Sequence, residues 1–131
     1  MPDVNKRVLI VDDDSDKRED LNNCLQEQGY DVVAVADTQA ALDAMANAVN
    51  GKFDLVISDT SRPLDEERDP GCHDKVFSAA RSIGAKIAIA SAYPVIKLPE
   101  GTPQLPVDNP QGFVEAVNKL LMNVAKEEAP E

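Results

Sequence analysis

The sequence predicts an α/β domain: a doubly wound parallel sheet with helices on both faces. Three observations carry that reading. Short apolar runs rich in β-branched residues recur at 7–11 (RVLIV), 31–36 (DVVAVA), 54–58 (DLVIS) and 86–90 (KIAIA), and unbroken apolar runs of this length suit strands covered on both sides. Segments with a three-and-four apolar spacing separate them. Strand then helix, repeated, demands right-handed crossovers, and such crossovers build parallel sheets with helices on their faces.

The elements follow in chain order. After the first strand, Leu21, Cys24, Leu25 and Gln28 share one helical stripe, and Gly29 ends that helix as the residue that enters the left-handed region. The second helix is expected from Thr38 as its N-cap, with Leu42, Met45 and Val49 on its inner stripe and a stop near Gly51. A third is expected over Asp74 to Ile83, with Val76, Phe77, Ala80 and Ile83 inward and Gly84 at its end. The last begins with Asn109 as cap and Pro110 at the first helical position, and Phe113, Val117, Leu120, Leu121 and Val124 form its stripe. Residues 1–125 read as one domain and 126–131 (KEEAPE) as a charged tail.

Composition narrows the function. The 131 residues carry 13 Lys and Arg against 24 Asp and Glu, a formal net charge of −11. Phosphate-backbone binding needs clustered cations, so nucleic acid is not the expected ligand; a cation or a basic partner is. The longest apolar run, Val32 to Ala36, is far short of the ~20 residues that span a bilayer, and the N-terminus has no hydrophobic signal segment. The expectation is a cytoplasmic protein without membrane insertion. Cys24 and Cys72 have no spacing motif and are expected as free thiols.

Ligands of such sheets bind beyond the carboxyl ends of the strands, and there the chain is acidic. Asp12, Asp13 and Asp14 follow the first strand, Asp59 follows the third, and Ser91 follows the fourth. Carboxylates crowded together repel unless a cation sits among them. Magnesium suits an all-oxygen set of one or two carboxylates and waters, commonly shared with a phosphate. Phosphoryl transfer is the chemistry such a site suggests.

With VLIVDDD, then DLVISDTSRP with Pro63 four residues after Asp59, then KIAIASA, the chain resembles the receiver domain of bacterial two-component response regulators. The resemblance implies a flavodoxin-like, five-stranded sheet in the order 2-1-3-4-5. It also implies that Asp12 and Asp13 hold Mg2+, that Asp59 is the phosphoryl acceptor, that the Ser61 backbone carbonyl joins the metal, and that Ser91 hydrogen-bonds the transferred group. Such a single-domain regulator would work with a sensor histidine kinase or histidine phosphotransfer protein and a downstream target protein, as a phosphoacceptor rather than an enzyme.

The family pattern closes with a fifth strand ending in Lys-Pro, where this chain has Leu105 and Pro106 in QLPVDNP. The stretch from Ser91 to Leu105 is also short of that pattern by about eight residues, roughly two helical turns. Pro94, Pro99 and Pro103 interrupt it, so the fourth helix of the family is expected to be short or absent. Lys97 is the lysine left to supply an ammonium. These departures admit a second reading, a pseudo-receiver that binds proteins without being phosphorylated. A third, a haloacid-dehalogenase-like phosphatase, would use Asp12 and Asp14 with Ser91 and Lys97, but it leaves Asp59 unexplained.

Overall fold

The computed structural model describes residues 6–47, 53–59, 72–90, 103–105 and 109–128, excluding the side chains of residues 72, 73 and 122–128. The chain runs β1 (Arg7–Val11), α1 (Ser15–Glu27), β2 (Asp31–Val35), α2 (Thr38–Ala46), β3 (Leu55–Ser58), α3 (Cys72–Ser82), β4 (Lys86–Ala90), β5 (Gln104–Leu105) and α4 (Pro110–Glu128). The five strands pair in parallel in the order β2-β1-β3-β4-β5. This is the predicted doubly wound, flavodoxin-like sheet. The stretch expected to hold a shortened fourth family helix lies outside the described residues, and α4 continues to Glu128, taking in the first residues of the charged segment 126–131.

Alternation along the strands divides the core into two layers. Val8, Ile10, Leu55, Ile57 and Ala88 face α1 and α4, where Leu21, Leu25, Phe113, Val117 and Leu121 meet them. Leu9, Val11, Val56, Ile87 and Ile89 face the other way and pack against Ala41 and Met45 of α2 and Val76, Phe77 and Ala80 of α3. Strands β1 and β3 are buried along nearly their whole length, whereas β2, at the sheet margin, is only half-buried.

Helix ends follow local chemistry. Asp14 caps α1, its side chain accepting from the N–H groups of Asp16 and Lys17 at 3.1 and 3.2 Å. For α2 the cap is Asp37 instead of the expected Thr38: Asp37 is extended and its carboxylate accepts from Ala40 N–H at 2.8 Å, while Thr38 is buried as the first helical residue. A carboxylate also gains from the helix dipole there, which a hydroxyl does not. The described α2 stops at Ala46, before Val49 and Gly51, which lie outside the described residues. Helix α3 begins at Cys72, two residues before the expected Asp74. Asn109 does cap α4, accepting from Gly112 N–H at 3.2 Å. Gly29 ends α1 with φ +94°, and the bonds Gly29 N–H to Gln26 O and Tyr30 N–H to Leu25 O close the last turn. Gly84, with φ +79°, closes α3 by the same pair of bonds, to Arg81 O and Ala80 O.

Two interactions here are testable by urea unfolding. The Tyr30 hydroxyl donates to Asn118 Oδ1, tying the turn before β2 to α4, and burial pushes its phenol above the ordinary tyrosine value. The folded protein then keeps a proton that the unfolded chain releases near pH ~10, so stability falls as pH rises past that value. Tyr30→Phe is expected to lose about 1 kcal/mol at pH 7, with the difference from wild type narrowing above pH ~10. Asp14→Ala is expected to cost about 1 kcal/mol through the lost cap, whereas Asp13→Ala, which relieves repulsion among the neighbouring carboxylates, does not lower stability.

Candidate functional site

The backbone ladder carries two carboxylates past the ends of β1 and β3. Val11 is in register with both Val35 and Ser58. The pairing goes one residue further on each side, because Asp12 N–H donates to Val35 O and Asp59 N–H donates to Val11 O, both at 3.0 Å. Asp12 and Asp59 are thereby fixed side by side, 2% and 4% exposed. Asp13 begins the loop to α1 and is exposed; its N–H donates to Asp59 Oδ2 at 3.3 Å. Asp14 N–H donates to Asp12 Oδ1 at 2.9 Å.

Carboxylate oxygens of Asp12, Asp13 and Asp59 all lie within 4.8 Å of one another. Asp12 Oδ2 is buried, and among the described residues the Lys17 ammonium stands 2.9 Å from it. One ammonium does not offset three crowded carboxylates, and a close set of hard oxygens is what magnesium takes. The residues present therefore fit a divalent cation.

The first turn of α1 returns two cations to this loop. Lys17 Nζ lies 2.9 Å from Asp12 Oδ2 and donates to the Ala90 carbonyl at 2.8 Å. Arg18 Nη1 donates to the Asp12 carbonyl at 2.8 Å. Sequence reasoning missed both residues. The signal for them is that two positive side chains stand in the first turn of a helix, where the dipole disfavours them, directly after an acidic loop.

Of the residues singled out from sequence, the structure brings together Asp12, Asp13 and Asp59. It gives Asp14 the capping role, with Oδ1 engaged by two backbone N–H groups. Ser61, Ser91 and Lys97 lie outside the described residues. The strand that pairs with β4 is Gln104–Leu105, and Leu105, opposite Ala90, is 2% exposed in the layer beneath α1 and α4. Strand β5 thus brings an aliphatic side chain to this level of the sheet. Among the described residues no helix is long and apolar enough to cross a membrane.

Residues 8–64 match the sequence model of the response regulator receiver domain. Among solved structures, the response regulator TrrA from Thermotoga maritima, in complex with Mg2+-BeF, is 29% identical, with 88% of this chain and 98% of that one covered and a TM-score of 0.66. A CheY-like receiver domain protein from Methanospirillum hungatei is 24% identical, with 94% and 98% covered and a TM-score of 0.74. The receiver domain of the hybrid histidine kinase CckA is 24% identical, with 86% and 96% covered and a TM-score of 0.62. By its sequence over residues 8–64 and by its fold, the chain resembles the receiver domain of two-component response regulators and shares its architecture.

Proposed function

We propose that this chain is a phosphoacceptor of two-component or phosphorelay signalling, which takes a phosphoryl group on Asp59 and thereby changes which partner it binds. The observation that carries the reading is the pair of buried carboxylates, Asp12 and Asp59, held by the ladder beside Asp13, with oxygens of all three within 4.8 Å of one another. TrrA, whose structure contains Mg2+-BeF, supports it as a relative of similar fold. Asp12, Asp13, Asp59 and the backbone carbonyl of Ser61 would hold Mg2+. Bound there, the cation offsets the charge of the acceptor carboxylate and of the incoming phosphoryl oxygens.

The chain's own residues do the rest. One Asp59 oxygen bonds to phosphorus as the donor's bond to phosphorus breaks, and the donor departs with that electron pair. Asp13 N–H, already on Asp59 Oδ2, orients the carboxylate. Ser91 hydrogen-bonds the transferred group, and its displacement with the tip of β4 biases an equilibrium between two surface states. Lys97 is the ammonium that the stretch after β4 offers. The donor is a sensor histidine kinase or a histidine phosphotransfer protein, the receiver of the signal is a downstream target protein, and the setting is the cytoplasm. One observation favours a second reading, a binding module that is not phosphorylated: Leu105 ends β5 as a buried aliphatic residue.

Incubation with acetyl phosphate and Mg2+, read by intact mass, separates the two. The expected outcome is one added phosphoryl group in wild type, with acetate released, and none in Asp59→Asn. No label in wild type with metal present favours the binding module. Titration with Mg2+ followed by amide NMR is expected to move residues 12–14 and 59–62; shifts confined elsewhere overturn the metal assignment.

A further inference from the structure

Lys17 crosses from the first turn of α1 to the tips of the central strands. Its Nζ stands 2.9 Å from Asp12 Oδ2 and donates at 2.8 Å to the carbonyl of Ala90, the last residue of β4. The side chain is 24% exposed and the carboxylate 3%. Holding a long side chain there costs rotamer entropy and opposes the helix dipole, so the pair of oxygens at its end must hold it. Arg18 meets the Asp12 backbone carbonyl, so that among the described contacts the ammonium of Lys17 is the positive charge on the carboxylate. The oxygen it approaches is the same buried Oδ2 that a divalent cation would use.

One carboxylate oxygen cannot serve both cations at full strength, since an ammonium beside a divalent ion is a like-charge contact. The two partners of Lys17 differ in kind: Asp12 is charged and contested, Ala90 O is neutral and outside the acidic set. We propose that Lys17 is a tethered counter-cation of the metal site. It neutralises Asp12 while the site is empty of metal, yields Oδ2 to an arriving divalent ion while keeping its bond to the Ala90 carbonyl, and so sets the cation concentration at which Asp59 can be loaded. The proposal rests on the metal-binding part of the proposed function. It makes no demand on the identity of the kinase or target.

The test compares Mg2+ binding to the full chain, by calorimetry and by metal-induced rise in melting temperature, for wild type, Lys17→Met, Lys17→Gln and Lys17→Arg. Removing the ammonium is expected to tighten Mg2+ binding roughly fivefold in both uncharged variants, even where they melt lower without metal, and to enlarge the metal-induced rise correspondingly. Lys17→Arg, which keeps the charge, stays near wild type. Lys119→Met, which removes an exposed cation on α4, shifts affinity less than about twofold because distant charges are screened. Unchanged or weaker Mg2+ binding in both uncharged variants overturns the proposal, since a merely structural lysine would act that way. So does tightening in Lys119→Met of equal size, which would trace the effect to net charge. Labelling by acetyl phosphate keeps the two readings apart. If wild type labels on Asp59 while the Lys17 variants bind Mg2+ as wild type does, the phosphoacceptor stands and the counter-cation falls; if nothing labels but the uncharged variants bind Mg2+ more tightly, the reverse holds.

Discussion

The position of β1 between β2 and β3 governs the architecture of the site. Because Val11 is in register with Val35 on one side and Ser58 on the other, the residues that follow β1 and β3 emerge at one level of the sheet. The ladder bonds from Asp12 N–H and Asp59 N–H then fix both backbones one residue past the strands. Register is itself held by the two core layers. A slip of one residue would send Val8 and Ile10 toward α2 and α3, and Leu9 and Val11 toward α1 and α4, undoing both layers at once. The placement of two buried carboxylates is therefore a by-product of apolar packing elsewhere in the sheet.

Packing alone does not make that placement tolerable. Three carboxylates with oxygens within 4.8 Å of one another repel, and the fold answers with donors from the start of α1. Asp14 N–H binds Asp12 Oδ1, Asp13 N–H binds Asp59 Oδ2, and the side chains of Lys17 and Arg18 reach back to Asp12. The balance is incomplete among the described residues, since one ammonium beside Asp12 faces three carboxylates. This deficit beside Asp59 is what the proposed metal would fill. At the opposite end, Arg7 N–H binds Asp54, its guanidinium pairs with Asp31 and lies 4.5 Å from the Phe53 ring centre, so charge is matched by charge and no such deficit exists there among the described contacts.

What the sequence disclosed and what it withheld divide along physical lines. The first four strands were legible because buried parallel strands must be continuously apolar, as LVIS and KIAIA are, the sheet order was implied by the family resemblance, and the carboxylates were legible because Asp12 and Asp59 directly follow such runs. The α4 cap was legible from Asn109 and Pro110, whose chemistry admits few other uses. The α2 cap was not, because Asp37 and Thr38 are both good caps and only tertiary burial of Thr38 decides between them. Lys17 was hidden for a different reason. A lysine in a helix reads as solvated, and its contact with Ala90 joins residues 73 positions apart, a distance that no local pattern spans. The roles of Ser61, Ser91 and Lys97 depend on stretches outside the described residues.

The seven residues from Asp12 to Arg18 carry several duties at fixed offsets: buried carboxylate, bridging amide, helix cap, ammonium and guanidinium. An α-helix turns about 100° per residue. Gaining or losing one residue between Asp14 and Lys17 would swing both cations off Asp12 while Leu21 and Leu25 were pulled from the core or the cap was undone. Point substitutions in this stretch trade one duty at a time, but a change of length breaks all of them together. Evolution of this segment is thus confined to replacement in place, and among homologues its length should be constant even where its letters are not.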